Sequence, residues 1–327
     1  MDKLKLFRNF ILISIPLFVL CVLAYVLPFA YMSTEYVIWY EEYANSDSPA
    51  IDAKTVLVGD SRAKSSILPA LLHEDTYNIA IGGATPMEMY YATRNYIEKN
   101  GAPQNAIVTF APYHFCDIDN WDQALYYNFL KPGEVFEIYT KALELKDPVI
   151  TKKGRIGEMV SYRLRLPSKY LSQMYEGKFT GNLSSNQERF DQIRGDLGYC
   201  EFGNAAGDDG LTHECYHEYF DYIPIVTLYY DRLLKLLIDN NVNVVVVQPP
   251  INQASSDGMH QEFLDGFTGY MEDIAEKYPQ ITVFPEIPVY DNIYFGDSIH
   301  VNRKGAALFT GDLKDKLEGI GYWDKNK

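Results

Sequence analysis

"VLVGDSRAKSS", Val56 to Ser66, passes from strand-forming residues through Gly59, Asp60 and Ser61 into helix-compatible chain. Thr55 to Gly59 is apolar without alternation, the pattern of a strand covered on both faces in a parallel sheet. A serine where such a strand ends is either a helix cap or a nucleophile held on a sharp turn. The second reading needs a base elsewhere in the chain and a carboxylate to orient that base.

Working outward, strands and helices alternate. "YNIAIGGA" (Tyr77 to Ala84), "AIVTFAP" (Ala106 to Pro112), "VNVVVVQPP" (Val242 to Pro250) and "ITVFPE" (Ile281 to Glu286) read as further strands. Helices are expected over 86–101, 219–241, 262–279 and 302–317, the first with Pro86 near its start and Gly101 after its end. Five strands separated mainly by helices predict an α/β fold with a central parallel sheet. Sites in such folds sit at the carboxyl ends of strands, where Gly59-Asp60-Ser61, Gly82-Gly83 and Pro112-Tyr113 all fall. Residues 113–220 interrupt the alternation and read as one long insertion within a domain spanning 55–327.

The N-terminus carries Lys3, Lys5 and Arg8 before an uncharged apolar run from about Phe10 to Met32. A bilayer takes roughly 20 such residues, so residues 1–32 read as a cytoplasmic tip and membrane anchor. Acidic residues follow the run, and the charge bias sets the N-terminus inside and the main domain extracytoplasmic. A cleaved signal peptide is the rival reading, but no small-x-small site closes the run. Residues 33–54 read as a polar, acidic stalk.

The chain has 327 residues and a net charge of −15, which argues against nucleic acid as a partner and against peripheral docking on anionic lipid. Cys21, Cys116, Cys200 and Cys215 lack zinc-ribbon spacing. Cys200 and Cys215 are close enough in sequence to bridge in an oxidising compartment.

"YFGDSIHVNRKGAALF", Tyr294 to Phe309, supplies the missing partners. His300 can take the serine proton, and Asp297, three residues earlier, can hold the imidazole. Asn302 is positioned to cap the last helix. Gly59-Asp60-Ser61 after the first strand, glycines after the second, and Asp297-x-x-His300 before the last helix resemble the SGNH/GDSL hydrolase superfamily. The resemblance covers roughly 55–317 apart from the insertion. It implies a three-layer α/β/α sandwich of flavodoxin-like topology and acyl-ester chemistry without a cofactor or metal. Carried over, Ser61 is the nucleophile, His300 the base and Asp297 its partner. The N–H groups of Ser61 and of Gly82 or Gly83 then line the oxyanion hole. The family's third block usually brings an asparagine there, but "TFAPYHFCD" has none at that place, and Tyr113 is the candidate substitute. Arg62, Tyr113, His114 and Gln248 are candidate substrate-binding residues, Arg62 alternatively forming a salt bridge.

The anchor, the insertion and the departure in the third block resemble the membrane-anchored extracytoplasmic branch of that superfamily. Its members act in O-acylation of bacterial envelope polymers, including alginate and peptidoglycan O-acetylation and lipoteichoic acid D-alanylation. That branch implies a multi-pass membrane-bound O-acyltransferase as acyl donor and an envelope polysaccharide or teichoic-acid-like polymer as acceptor. A non-catalytic scaffold of the same fold is the alternative. A third reading comes from "HECYH", His213 to His217, which matches a zinc-peptidase pattern if it lies on a helix. Asp117, Asp119 and Asp122 lack calcium-loop spacing and read as a solvated acidic loop.

Overall fold

A computed structural model describes residues 3–47, 51–118 and 120–324. The N-terminal run forms α1 (Lys3–Val26), whose side chains are almost all exposed. Its 24 residues make a rod about 36 Å long at 1.5 Å per residue, and it is long and apolar enough to span a membrane. Pro28 opens α2 (Pro28–Tyr31), at a first-turn position where its missing N–H costs nothing. Residues 28–32, read as anchor from the sequence, belong to the folded body. Tyr31 donates its hydroxyl to the Ala24 carbonyl at 2.7 Å, and the Asn186 amide donates to Phe29 and Met32 carbonyls at 2.8 and 2.9 Å.

The expected stalk is corrected more strongly. It forms α3 (Thr34–Asp47), with Tyr36, Val37, Ile38 and Trp39 buried in the main core. Its acidic residues suggested a solvated segment, yet Glu41 and Glu42 are buried too. Glu41 accepts the Tyr77 hydroxyl at 2.7 Å and faces Lys64 Nζ at 3.6 Å, so its charge is answered inside the protein. Asp119 and positions 48–50 of the stalk reading lie outside the described residues.

The strands are β1 (Thr55–Gly59), β2 (Thr76–Asn78), β3 (Asn105–Thr109), β4 (Asn243–Val246), β5 (Ile251–Asn252), β6 (Thr282–Val283) and β7 (Val289–Tyr290). Five of them make one parallel sheet in the order β2-β1-β3-β4-β6, while β5 and β7 pair separately. Alternate residues of a strand face opposite ways. Val56, Val58, Ala106, Val108, Val244 and Val246 accordingly enter one core. Leu57, Ile107, Val245 and Val247 enter another with Phe309 and Leu313. This two-sided burial is why these strands read as continuous apolar runs.

Between β1 and β3 lie α4 (Ser61–Ser66), α5 (Pro69–Leu72) and α6 (Pro86–Asn100). The insertion is mostly helical: α7 (Trp121–Tyr126), α8 (Pro132–Leu145), α9 (Arg155–Arg163), α10 (Pro167–Glu176) and α11 (Leu183–Gly195). Its Trp121, Ile138, Tyr170 and Ile193 join the same core as Val56. Beyond it come α12 (Pro224–Asp239), α13 (Gln253–Gly258), α14 (Gln261–Lys277) and α15 (Arg303–Gly319). Residues 219–223, read as helix, precede it, because Pro224 fixes the first turn of α12. Cys200 and Cys215 are both free thiols, so no bridge joins them.

Candidate active site

The strand order reverses between β1 and β3, and the Ser61 turn stands at that reversal. Gly59 is required there: a Cβ on it would lie 1.8 Å from the Thr109 carbonyl oxygen of β3. The cap of α4 is Asp60, whose Oδ1 accepts the N–H groups of Arg62 at 2.9 Å and Ala63 at 3.2 Å. Its Oδ2 accepts the Ala111 N–H at 2.7 Å, tying the ends of β1 and β3 together. Since Asp60 does the capping, Ser61 is left as the first helical residue, half-buried at the strand end.

Asp297 and His300 meet as their spacing implied. His300 Nδ1 lies 2.9 Å from Asp297 Oδ2 and 3.1 Å from Oδ1, and the backbone N–H groups of Ile299 and His300 also donate to Oδ1. Burial pushes the Asp297 carboxyl up, but the His300 side chain and those two N–H groups outweigh it and hold the pKa below the ordinary value. Asn302 Oδ1 caps α15 through the N–H groups of Lys304 and Gly305, both at 3.1 Å. The α15 helix packs on α4, and its Thr310 hydroxyl accepts the Leu68 N–H at 2.9 Å. His300 Nε2, the atom that would serve Ser61, is buried and makes no hydrogen bond, so the Ser61–His300 bond is not formed in this structure.

A residue the sequence reading missed joins the two halves. Phe202 stacks on the His300 ring at 4.7 Å, and a Cβ on Gly82 would meet the same phenyl at 2.9 Å. The strap carrying it is held by Cys200 N–H on the Lys64 carbonyl at 3.1 Å and Ala205 N–H on the Gly296 carbonyl at 3.0 Å. Phe202 lies in an irregular stretch with no periodicity, so only the fold reveals it.

The N–H groups of Ser61, Gly82 and Gly83 have no acceptor among the described residues. Gly83 has φ +78°, and a Cβ there would stand 3.2 Å from Asn120 Nδ2. Asn120, overlooked in the sequence because no glycine precedes it, brings an amide after β3 to this loop.

The four proposed substrate-binding residues are otherwise engaged. Arg62 is 2% exposed and its Nη2 donates to Glu214 Oε2 at 2.7 Å. Burial opposes both charges, yet the pair prevails: the Glu214 pKa is lowered and that of Arg62 raised. His114 is buried with Nε2 3.4 Å from Asp60 Oδ2. Tyr113 is buried between the His114 and His213 rings, and its N–H donates to Glu214 Oε1 at 3.4 Å rather than to an oxyanion. Gln248 is buried and donates to the Phe284 carbonyl at 3.2 Å. "HECYH" forms a 3-10 turn over His213–Tyr216, so the helix a zinc-peptidase motif needs is not made, and Glu214 is committed to Arg62. Asp122 pairs with Arg155.

Asp297 and Glu214 both titrate low when folded. The stability they supply is therefore full above the ordinary carboxylate range, about pH 4, and is lost as pH falls through their lowered values. Glu88, raised by burial against its hydrogen bonds from Thr85, works in the opposite sense. Denaturant midpoints are expected to fall steeply below about pH 4, and Glu214→Gln to flatten that acid limb.

The chain matches no protein-family model, and no curated protein matches it.

Proposed function

We propose that the protein is a membrane-anchored, extracytoplasmic serine acyltransferase or esterase of the SGNH type. The observations that carry this reading are the Asp297–His300 pair with an unpartnered, buried Nε2 and a strand-end serine relieved of capping by Asp60. In the proposed cycle Ser61 Oγ attacks the acyl carbonyl carbon and its proton passes to His300 Nε2. The bond to the donor alcohol then breaks, and that alcohol leaves with the proton. An acceptor hydroxyl gives its proton to His300, takes the acyl group and returns Ser61 Oγ to the hydroxyl form. Asp297 keeps the imidazole oriented throughout. The N–H groups of Ser61 and Gly82 or Gly83, with the Asn120 amide, serve the oxyanion. Burial on both sides of the sheet supports a three-layer α/β/α arrangement. Lys3, Lys5 and Arg8 before the apolar run support a cytoplasmic short end of α1. The acyl group is acetyl, supplied by a multi-pass membrane-bound O-acyltransferase, and the acceptor is a sugar or polyol hydroxyl of an envelope polymer.

Full-length protein in detergent, given an activated acetyl ester and a polysaccharide acceptor, tests this. Acetyl moving to the acceptor faster than to water supports the transferase form, and release to water alone supports the esterase form. No consumption of the ester would contradict both. Asn120→Ala is expected to lower the rate by about 10²–10³-fold, the cost of one oxyanion donor, with little change in thermal stability.

One observation favours a second reading, a scaffold that binds polymer or acyltransferase without chemistry: the Ser61–His300 hydrogen bond is not made. Under it, Ser61→Ala leaves polymer acylation in cells unchanged.

A further inference from the structure

Away from the serine, a cavity of about 280 Å³ opens at the foot of α1. Tyr25 and Pro28 line it where the apolar helix ends, Trp39 comes from α3, and Asn128, Arg163 and Arg165 come from the insertion. Two donors of the residues that line it have no acceptor. Trp39 Nε1 and Arg165 Nη1 are buried and make no hydrogen bond. Arg163 donates to the Asn128 carbonyl at 3.5 Å and Arg165 hydrogen-bonds the Tyr31 and Tyr36 phenols, so neither guanidinium is answered by a carboxylate among the described residues. Buried N–H groups are normally satisfied, and two guanidinium groups partnered only by neutral oxygens ask for an anionic, acceptor-only ligand. Arg165 and Asn128 hold φ of +46° and +56°, a left-handed backbone that costs energy in residues other than glycine.

The surroundings say where that anion would come from. The chain is acidic at −15, yet residues 151–179 carry seven basic side chains against Glu158 and Glu176. Their α10 packs against α1. Leu164, Leu171 and Tyr175 on this stretch are 60%, 51% and 81% exposed. Basic charge and exposed apolar side chains together, next to an apolar helix, suit the headgroup layer of a bilayer. The overall charge argued against contact with anionic lipid, and the local distribution reverses that.

We propose that this cavity binds the phosphate of an anionic phospholipid headgroup, gripped by the guanidinium groups of Arg163 and Arg165. The proposal rests on the membrane-anchored reading of α1. Bound there, a lipid would fix the insertion, and with it Asn120, against the membrane surface.

The full chain would be floated with vesicles of phosphatidylcholine alone, then reconstituted with an equal mixture of phosphatidylcholine and phosphatidylglycerol. Lipid retained after detergent exchange would be read by native mass spectrometry. Wild type is expected to retain phosphatidylglycerol over phosphatidylcholine by about tenfold. Arg163→Gln, at an exposed position that keeps the fold, should lose part of that preference, and Arg163→Gln with Arg165→Gln nearly all of it. Lys152→Gln with Lys153→Gln, outside the cavity, should keep it. Equal retention of the two lipids by wild type, or equal losses in the lysine and arginine variants, would overturn the site. Displacement of the lipid by millimolar inorganic phosphate would overturn the lipid assignment in favour of a soluble anion. Failure to float with phosphatidylcholine alone would overturn the membrane reading itself, a result separate from loss of headgroup preference.

Discussion

Ser61→Ala is expected to reduce acyl transfer by about 10⁴-fold or more, with the folded structure intact. The side chain lost is small and half-buried, and capping of α4 stays with Asp60. Stability should therefore change little, while the only atom proposed to form the acyl bond disappears. His300→Ala should cost about as much. The double variant should be no worse than either single one, because nucleophile and base act as a unit. Steady-state ester turnover beside a thermal melt of each variant checks this. A fall in rate that tracks a fall in melting temperature would point to a structural serine.

Glu214→Ala is expected to cost about 3–5 kcal/mol of stability, a large share of the roughly 5–15 kcal/mol typical of a domain. The reason is what it leaves behind. Arg62 stays buried beside Asp60, its charge unanswered by the carboxylate 2.7 Å from Nη2. Replacing both partners, Arg62→Met with Glu214→Leu, removes the stranded charge and should recover most of the loss. Urea unfolding of the three proteins checks both expectations. If Glu214 were instead the base of a metal peptidase, Glu214→Ala would remove activity and leave unfolding unchanged.

The sheet and the Asp297–His300 pair were legible because their signals are local. A strand buried on both faces is a run of apolar residues, and an i,i+3 carboxylate–imidazole pair shares one loop. The rest was written in long-range contacts. Glu41 reads as a solvated charge until Tyr77 and Lys64 are brought to it. Glu214 reads as part of a metal motif until Arg62, 152 positions earlier, claims it. Arg62, His114 and Gln248 sit at strand ends and so read as cleft residues, but neighbours cover them. Asn120 and Phe202 carry no periodicity or motif, and only the folded chain puts them beside Gly83 and His300.

The central claim is that Ser61 carries the acyl group with His300 as its base. Because α2 and α3 are built into the folded body, the full-length chain is the protein to use. After brief exposure to an activated acetyl ester, peptide mass spectrometry would locate the added acetyl. Acetyl on Ser61 that vanishes in His300→Ala is the result predicted. Ester turnover with no acetyl on Ser61, or acetylation indifferent to His300, would contradict it.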